Sequence, residues 1–262
     1  MQSDTRKILE YAVSKVPQVT LGFWIIKIAA TTLGETGGDW VTMSLNLGYL
    51  IGSAIFALIF VGLVSGQVKA DRFRPFLYWA TIVATTTLGT TMADFFDRSL
   101  GVGYPGGVAI VFALLLASLA IWYKAEGTVS VQSITTPKAE WFYWTTILFS
   151  QTLGTALGDS VAGADRGGLG LGYEYGALIF GVGLAIVAGL YIWARISHTL
   201  LFWAAFILTR PLGATLGDFL DKPIAEGGLH VSRLYASLIL LVFIVASVTL
   251  IPQRPARRVE QA

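Results

Sequence analysis

The sequence predicts an all-α integral membrane protein in which eight transmembrane helices form four helical hairpins. The first observation is composition: of 262 residues, 55% are hydrophobic and only 13% are charged, with a mean hydropathy of +0.68. Soluble domains of this length are much less apolar. The second observation is a motif that returns four times along the chain. Together they predict a single transmembrane domain over residues 1–262.

Eight apolar runs are each long enough to cross a membrane as a helix, since a hydrocarbon core of about 30 Å requires roughly 20 residues. They cover residues 21–40, 49–68, 76–94, 106–123, 141–159, 175–193, 201–218 and 234–251. The alternating ten-residue segments of an outer-membrane barrel do not appear. The first 20 residues are polar and do not resemble a cleavable signal peptide.

The distribution of Lys and Arg between the two sets of connections predicts the orientation. One set, with both tails, contains Arg6, Lys7, Lys15, Lys69, Arg72, Arg74, Lys124, Lys138, Arg195, Arg254, Arg257 and Arg258. The opposite set contains only Arg98, Arg166, Lys222 and Arg233. The positive-inside rule then places both termini in the cytoplasm of a bacterial inner (plasma) membrane. The lipid bilayer is the expected partner, and a net charge of +2 does not indicate nucleic acid.

The repeated motif reads W(x)8LG(x)3[G/A]D. Its four copies begin at Trp24, Trp79, Trp144 and Trp203 and end at Asp39, Asp94, Asp159 and Asp218. Each copy lies in the first apolar run of a pair, so the repeats cover approximately residues 21–68, 76–123, 141–193 and 201–251. Because each repeat crosses the membrane twice, all four have the same orientation, as parallel hairpins.

This arrangement resembles a family of bacterial membrane proteins that contain four tandem copies of a two-helix repeat with a shared tryptophan and that have no assigned function. The resemblance covers residues 24–251. It implies an integral inner-membrane protein with four hairpins, and it implies no activity.

Small residues within the motif predict close packing of the first helices. A glycine after the motif leucine and a small residue four positions later lie on one helical face, where they let two backbones approach in lipid. These residues are Gly34, Gly38, Gly89, Ala93, Gly154, Gly158, Gly213 and Gly217. We therefore expect the first helices to form a central cluster and the plainer second helices to face lipid.

The four motif aspartates are candidate ligands. Each lies 15 residues after the motif tryptophan, or roughly 22 Å along a helix. With the tryptophans as anchors at the inner interface, the aspartates belong in the outer part of the membrane. An anion at a helix C-terminus opposes the helix dipole, so four such placements indicate a compensating cation. The alternative is that each aspartate only hydrogen-bonds loop amides.

Three charged residues break the fourfold pattern, and they are candidate specificity residues. Glu35 occurs only in the first copy, Lys27 lies two turns before it, and Arg210 precedes Pro211 in the fourth copy. A charge inside a membrane span is costly unless it is paired, and it is a functional candidate by default. The structural alternative is an ion pair of Arg210 with Glu35 or with one of the motif aspartates, and Lys27 could extend to the inner interface.

The polar residues predict a transport function rather than an enzyme. Only two histidines and no cysteines are present, which argues against zinc, copper and haem sites. Carboxylates and hydroxyls instead suit hard cations such as Mg²⁺, Mn²⁺ or Ca²⁺.

The leading hypothesis is a transporter of a small cation, such as a divalent metal, through a central site of Glu35, Asp39, Asp94, Asp159 and Asp218. One alternative is a proton-coupled carrier of a small anion that uses Arg210 and Lys27. Another is a membrane scaffold or sensor without transport. No organic cofactor is expected, and the sequence does not determine the oligomeric state.

Overall fold

The described part of the chain folds into eight long α-helices, as the apolar runs predict. A computed structural model describes residues 13–131, 134 and 136–257. The helices are α1 (Leu21–Asp39), α2 (Gly48–Lys69), α3 (Pro75–Asp94), α4 (Gly103–Glu126), α5 (Pro137–Ala162), α6 (Tyr173–Trp193), α7 (His198–Asp221) and α8 (Arg233–Leu250). Two short strands, β1 (Val13–Pro17) and β2 (Pro255–Arg257), pair antiparallel. The tail residues Arg6, Lys7 and Arg258 of the orientation argument lie outside the described residues.

Local sequence explains where the first helices begin. The Thr20 hydroxyl accepts a hydrogen bond from the Phe23 amide of α1, and Thr136 and Ser197 cap α5 and α7 in the same way. Such caps satisfy amides that the first helical turn leaves free. Pro75 occupies the first turn of α3, where its missing N–H costs nothing. All four first helices thus have a defined start.

The first helices of the four repeats, α1, α3, α5 and α7, form a closed ring. Helix α1 packs against α3 and α7, and α5 packs against the same two helices from the other side. Each second helix packs mainly against the first helix of the following repeat: α2 on α3, α4 on α5, and α6 on α7. Helix α8 packs against α1 and so closes the circle.

The ring and the outer helices differ in burial. Helices α2, α4, α6, α7 and α8 are long and apolar enough to cross a membrane. In the most apolar stretch of each second helix, at most 28% of the residues are buried. In the corresponding stretch of α7, 61% of the residues are buried. Large apolar side chains such as Leu58, Ile186 and Ile239 remain exposed on the second helices. This apolar outer surface is the kind that lipid covers.

Motif glycines lie where neighbouring first helices touch. In each copy, a Cβ atom added to the first motif glycine would collide with a residue of the next copy. The four residues that would be hit occupy the same position of the motif. The contacts are Gly34 with Thr86, Gly89 with Gln151, Gly154 with Arg210, and Gly213 with Thr31. The second small residue repeats the pattern one turn later, as in Gly38 with Thr90 and Gly217 with Glu35. The glycines thus allow close approach between the first helices.

An aromatic collar closes one end of the ring. It consists of the motif tryptophans and the aromatic residue before each of them: Phe23, Trp24, Tyr78, Trp79, Tyr143, Trp144, Phe202 and Trp203. Ring centroids are 5.4 Å apart for Phe23 and Trp79, 5.6 Å for Tyr78 and Trp144, 6.5 Å for Tyr143 and Trp203, and 5.9 Å for Phe202 and Trp24. Each aromatic residue therefore contacts the tryptophan of the adjacent repeat, as T-shaped and tilted pairs do in protein cores.

The collar corrects our expectation that the motif tryptophans anchor the protein at a lipid interface. Trp79, Trp144 and Trp203 are buried, and Trp79 donates a hydrogen bond from Nε1 to Gln253 at 3.1 Å. The paired strands lie at the same end, since Val16 and Ala256 belong to the core that contains Trp79. Both described ends of the chain thus meet beside the collar.

Candidate functional site

Five layers of side chains line the interior of the ring, because every fourth residue of a first helix faces inward. The layers are the collar layer Phe23, Tyr78, Tyr143 and Phe202; the second layer Lys27, Ile82, Ile147 and Phe206; the third layer Thr31, Thr86, Gln151 and Arg210; the fourth layer Glu35, Thr90, Thr155 and Ala214; and the carboxylate layer Asp39, Asp94, Asp159 and Asp218. All of these residues except Phe202 are buried. The interior thus changes from aromatic to acidic along its length.

The carboxylate layer contains two ion-paired couples. Lys222 Nζ lies 2.5 Å from Asp39 Oδ2 and 3.0 Å from Asp218 Oδ1. On the other side of the ring, Arg98 Nε lies 2.5 Å from Asp94 Oδ1, and its NH2 group lies 3.9 Å from Asp159 Oδ2. The aspartates therefore pair with cations, rather than each binding its own loop amides.

Glu35 joins the first couple. Its carboxylate and those of Asp39 and Asp218 offer one oxygen each within 4.8 Å of one another, and all three residues are buried. Arg233 borders this group, with Nε 3.9 Å from Asp39 Oδ2 and 3.4 Å from Asp221 Oδ2. The structure thus brings together three of the five predicted metal ligands, while Asp94 and Asp159 form a separate couple around Arg98.

Arg210 crosses the interior of the ring between the third and fourth layers. Its guanidinium NH2 lies 2.9 Å from Glu35 Oε2 and also donates to the Thr90 hydroxyl. Its NH1 donates to the Thr31 carbonyl at 3.3 Å. A residue of α7 therefore binds α1 and α3. Of the two ion pairs considered for Arg210, the structure contains the one with Glu35, with both side chains almost fully buried.

Lys27 is buried in the second layer and does not extend to an interface. Its ammonium donates to the Thr209 hydroxyl at 3.1 Å and lies 3.9 Å from the centre of the Phe206 ring. Within the described residues it forms no ion pair with a carboxylate, and the neighbouring charge that acts on it is the cation Arg210. Lys27 is thus separate from the carboxylate layer.

The cations that pair with the motif aspartates were not predicted as site residues. In the sequence, Arg98, Lys222 and Arg233 are recognisable only as positive charges in the connections between apolar runs. The spacing contains a signal, because Arg98 and Lys222 each follow a motif aspartate by four residues, which puts both on one helical face. Arg233 occupies the place of Tyr49 and its counterparts in the other repeats. Its contact with Asp39 is a feature of the closed ring.

The four repeats differ in the backbone conformation that follows the motif aspartate. After Asp39 and Asp94 the chain continues as a wider π-helical turn, Trp40–Ser44 and Phe95–Ser99 respectively. Helices α5 and α7 instead continue as α-helix past their aspartates, to Ala162 and Asp221. Single π-helical turns are frequent at functional sites. The fourfold motif thus produces two different local geometries.

Asp97 adds a titratable group in the connection between α3 and α4. Burial, followed by the nearby Asp94 charge, raises the pKa of its carboxyl group to about 7. A Cβ atom on Gly107 of α4 would collide with this carboxyl group. The glycine therefore makes room for a buried carboxyl group close to the carboxylate layer.

The arrangement has an excess of negative charge. In the ion-pair network of the carboxylate layer, which does not include Asp97, the five aspartates Asp39, Asp94, Asp159, Asp218 and Asp221 meet three cations, Arg98, Lys222 and Arg233, which leaves two formal negative charges. The Glu35–Arg210 pair is neutral and does not change this balance. Uncompensated buried charge is unfavourable unless protons or a cation bind. An oxygen-only group suits a hard cation such as Mg²⁺, Mn²⁺ or Ca²⁺.

Fold and site together define a helical protein of the membrane type, built from four tandem hairpins around a polar interior. A family model matches residues 22–73, 77–128, 142–197 and 201–251, and its description is "Repeat of Unknown Function (DUF347)". The chain belongs to this family, which confirms the resemblance drawn from the motif. No curated protein and no solved structure matches the chain.

Proposed function

We propose that this protein is a bacterial inner-membrane transporter of a small hard cation, such as a divalent metal ion, and that it binds the cation at the carboxylate layer. The excess of two negative charges among buried groups supports the proposal most directly, because a divalent cation would neutralise it. Glu35, Asp39 and Asp218 are the best placed ligands, since their oxygens lie within 4.8 Å of one another. Lys222 competes for two of these carboxylates and would move aside when the cation binds.

Side chains that cross the interior of the ring favour a carrier over an open channel. Beyond the carboxylate layer, the Glu35–Arg210 pair crosses the ring, and the aromatic collar follows at the far end. A cation bound by Asp39 and Asp218 can advance only if this ion pair separates. We therefore propose alternating exposure of the site, with rearrangement of the first helices, as in other repeat-built transporters.

All eight helices cross the membrane in this proposal, with the collar end and both termini in the cytoplasm. The polar side chains of α1, α3 and α5 face the interior of the ring, and the second helices cover these first helices on the lipid side. A reporter fused after residue 262 should therefore give a cytoplasmic signal. A periplasmic signal would reverse the orientation and place the carboxylate layer on the cytoplasmic side.

Cation binding and uptake by the purified protein in liposomes test the proposal. The panel comprises Mg²⁺, Mn²⁺ and Ca²⁺, with chloride and other small anions for comparison. We expect saturable uptake of at least one cation, and we expect Asp39→Asn to weaken its binding at least tenfold, about 1.4 kcal/mol. Asp71→Asn is the matched control, because Asp71 is exposed in the connection between α2 and α3 and should leave binding unchanged.

The other functions make different predictions in the same assay. Uptake of an anion, with no uptake of any cation, would identify the protein as an anion carrier. No binding or uptake of any solute, with normal unfolding temperatures for both variants, would identify a membrane scaffold. Equal cation binding by wild type and Asp39→Asn would contradict the proposed site.

A further inference from the structure

A second group of buried polar atoms lies between the collar and the Glu35–Arg210 pair. The Lys27 side chain reaches the hydroxyl of Thr209, the residue before Arg210, so its ammonium lies at the level of the third layer. In that layer the Gln151 amide oxygen and nitrogen, the Thr86 hydroxyl and Arg210 Nε are buried and have no hydrogen-bond partner among the described residues. Unsatisfied groups at such density usually indicate a bound water or ligand.

Charge and donor type define the ligand that would satisfy these groups. Lys27 is a cation without a carboxylate partner in the described part of the chain, whereas the charge of Arg210 is balanced by Glu35. The ammonium, the Gln151 amide and Arg210 Nε all present N–H donors. If Lys27 keeps its proton, its unbalanced positive charge among donors is best matched by one negative charge that accepts hydrogen bonds.

We propose that the third layer holds a small monovalent anion, bound by Lys27, Gln151, Thr86 and the Nε–H of Arg210. The anion neutralises Lys27, whose burial in charged form would otherwise be unfavourable. The apolar second-layer neighbours Ile82, Ile147 and Phe206 are all buried and disfavour a multiply charged anion, which loses more hydration energy on entry. Chloride is therefore the probe that we choose, with sulfate for comparison.

The anion site and the proposed cation site bind opposite charges and adjoin at the Glu35–Arg210 pair, in which Arg210 belongs to the anion site and Glu35 to the cation site. The other anion ligands belong to the second and third layers, and the other cation ligands belong to the carboxylate layer. The two proposals can therefore fail separately, since one is tested with chloride and the other with metal ions.

Thermal unfolding in detergent at constant ionic strength tests the anion site, with gluconate replaced stepwise by chloride. We expect saturable stabilisation of the wild type by about 5 °C at high chloride, because a ligand that binds only the folded state raises the unfolding temperature. Sulfate at the same ionic strength should have no such effect. Lys27→Ile should abolish the response, and Gln151→Leu should weaken it at least tenfold in chloride concentration.

Isoleucine is the residue that the second and third repeats carry at the Lys27 position, so Lys27→Ile should fold well. In gluconate its unfolding temperature should equal or exceed that of the wild type. Lys69→Ile is the matched control, because Lys69 is exposed near the end of α2, and it should keep the full chloride response. The proposal is wrong if the wild type unfolds at the same temperature in chloride and gluconate, or if Lys27→Ile responds like the wild type.

Discussion

At the scale of single residues, the interior of the ring contains a buried ion pair whose two members occur in only one repeat each. Glu35 stands where other repeats have Thr90, Thr155 and Ala214, and Arg210 stands where they have Thr31, Thr86 and Gln151. The sequence alone shows that both charges are unusual, and their spacing within one helix does not reveal that they meet. They meet because α1 and α7 are neighbours, which is a property of the closed ring.

Removal of one partner of this pair should be much more damaging than removal of both. Arg210→Gln leaves Glu35 buried without its cation, which costs about 3 to 5 kcal/mol for such pairs. The double variant Arg210→Gln with Glu35→Gln removes both charges and should recover most of the lost stability. Thermal unfolding of the two single variants and the double variant gives the coupling energy directly. Additive effects of the two substitutions would show that the pair contributes little to stability.

Lys222 offers a prediction that separates a cation site from a structural ion pair. Its ammonium occupies the space between Asp39 and Asp218 and should compete with a bound cation. Lys222→Met should therefore lower stability in the absence of metal, because the two carboxylates then repel each other, and should tighten metal binding about tenfold, or 1.4 kcal/mol.

Metal titration by calorimetry measures the effect of Lys222→Met. Lys138→Met removes a lysine that pairs with Glu126 at the collar end, and it serves as the control that should leave metal affinity unchanged. Loss of stability without any gain in affinity would mean that Lys222 and the aspartates form only a structural network.

At the scale of elements, the motif glycines determine how closely the first helices pack. The small-residue pattern predicts that these helices contact one another, and each glycine indeed faces the next first helix of the ring. The sequence does not specify which helix is the partner, since any two such faces could pack. Pairing of α1 with both α3 and α7 depends on contacts between residues far apart in the chain, which local periodicity does not encode.

Two Gly→Ala substitutions should have opposite effects on stability. A Cβ atom on Gly89 would lie 2.9 Å from the backbone nitrogen of Thr152, so Gly89→Ala must push α3 and α5 apart, at a cost of about 1 to 3 kcal/mol. Gly62 of α2 has nothing within 4 Å of such an atom. Gly62→Ala should stabilise its helix by up to about 1 kcal/mol. Unfolding temperatures compare the two variants, and equal shifts would contradict close packing at Gly89.

At the scale of the whole molecule, the second helix of each hairpin packs on the first helix of the next hairpin around the ring. The number of helices, the four repeats and their common orientation follow from the sequence, because the motif register and run lengths are local. The packing of each second helix on the next repeat does not follow, because a short connection equally permits packing within the hairpin. The collar was also not predicted, although the aromatic residue before each motif tryptophan is a visible signal for it.

Closure of the ring between the fourth and first repeats is the feature on which both proposed sites depend, since packing of α7 on α1 brings Arg210 and Asp218 against Glu35 and Asp39. Helix α8 of the fourth repeat packs on α1 as well. Helix α8 contacts α1 through the hydroxyls of Thr36 and Ser237, which lie 2.9 Å apart. The chain has no cysteine, so Thr36→Cys with Ser237→Cys introduces a single pair at a separation compatible with a disulfide bond.

Mild oxidation of this double variant in native membranes should link the first and fourth repeats within one chain. Cleavage between the second and third repeats, at a protease site inserted near Gly127, should then leave the two halves joined until reductant is added. Thr36→Cys with Thr146→Cys is the control, because Thr146 of α5 belongs to the second half and contacts Ser118 of α4 instead, and its halves should separate. If the Thr36 and Ser237 variant also separates after oxidation, α8 does not pack on α1 in the membrane, and the fourth repeat does not close on the first through its second helix.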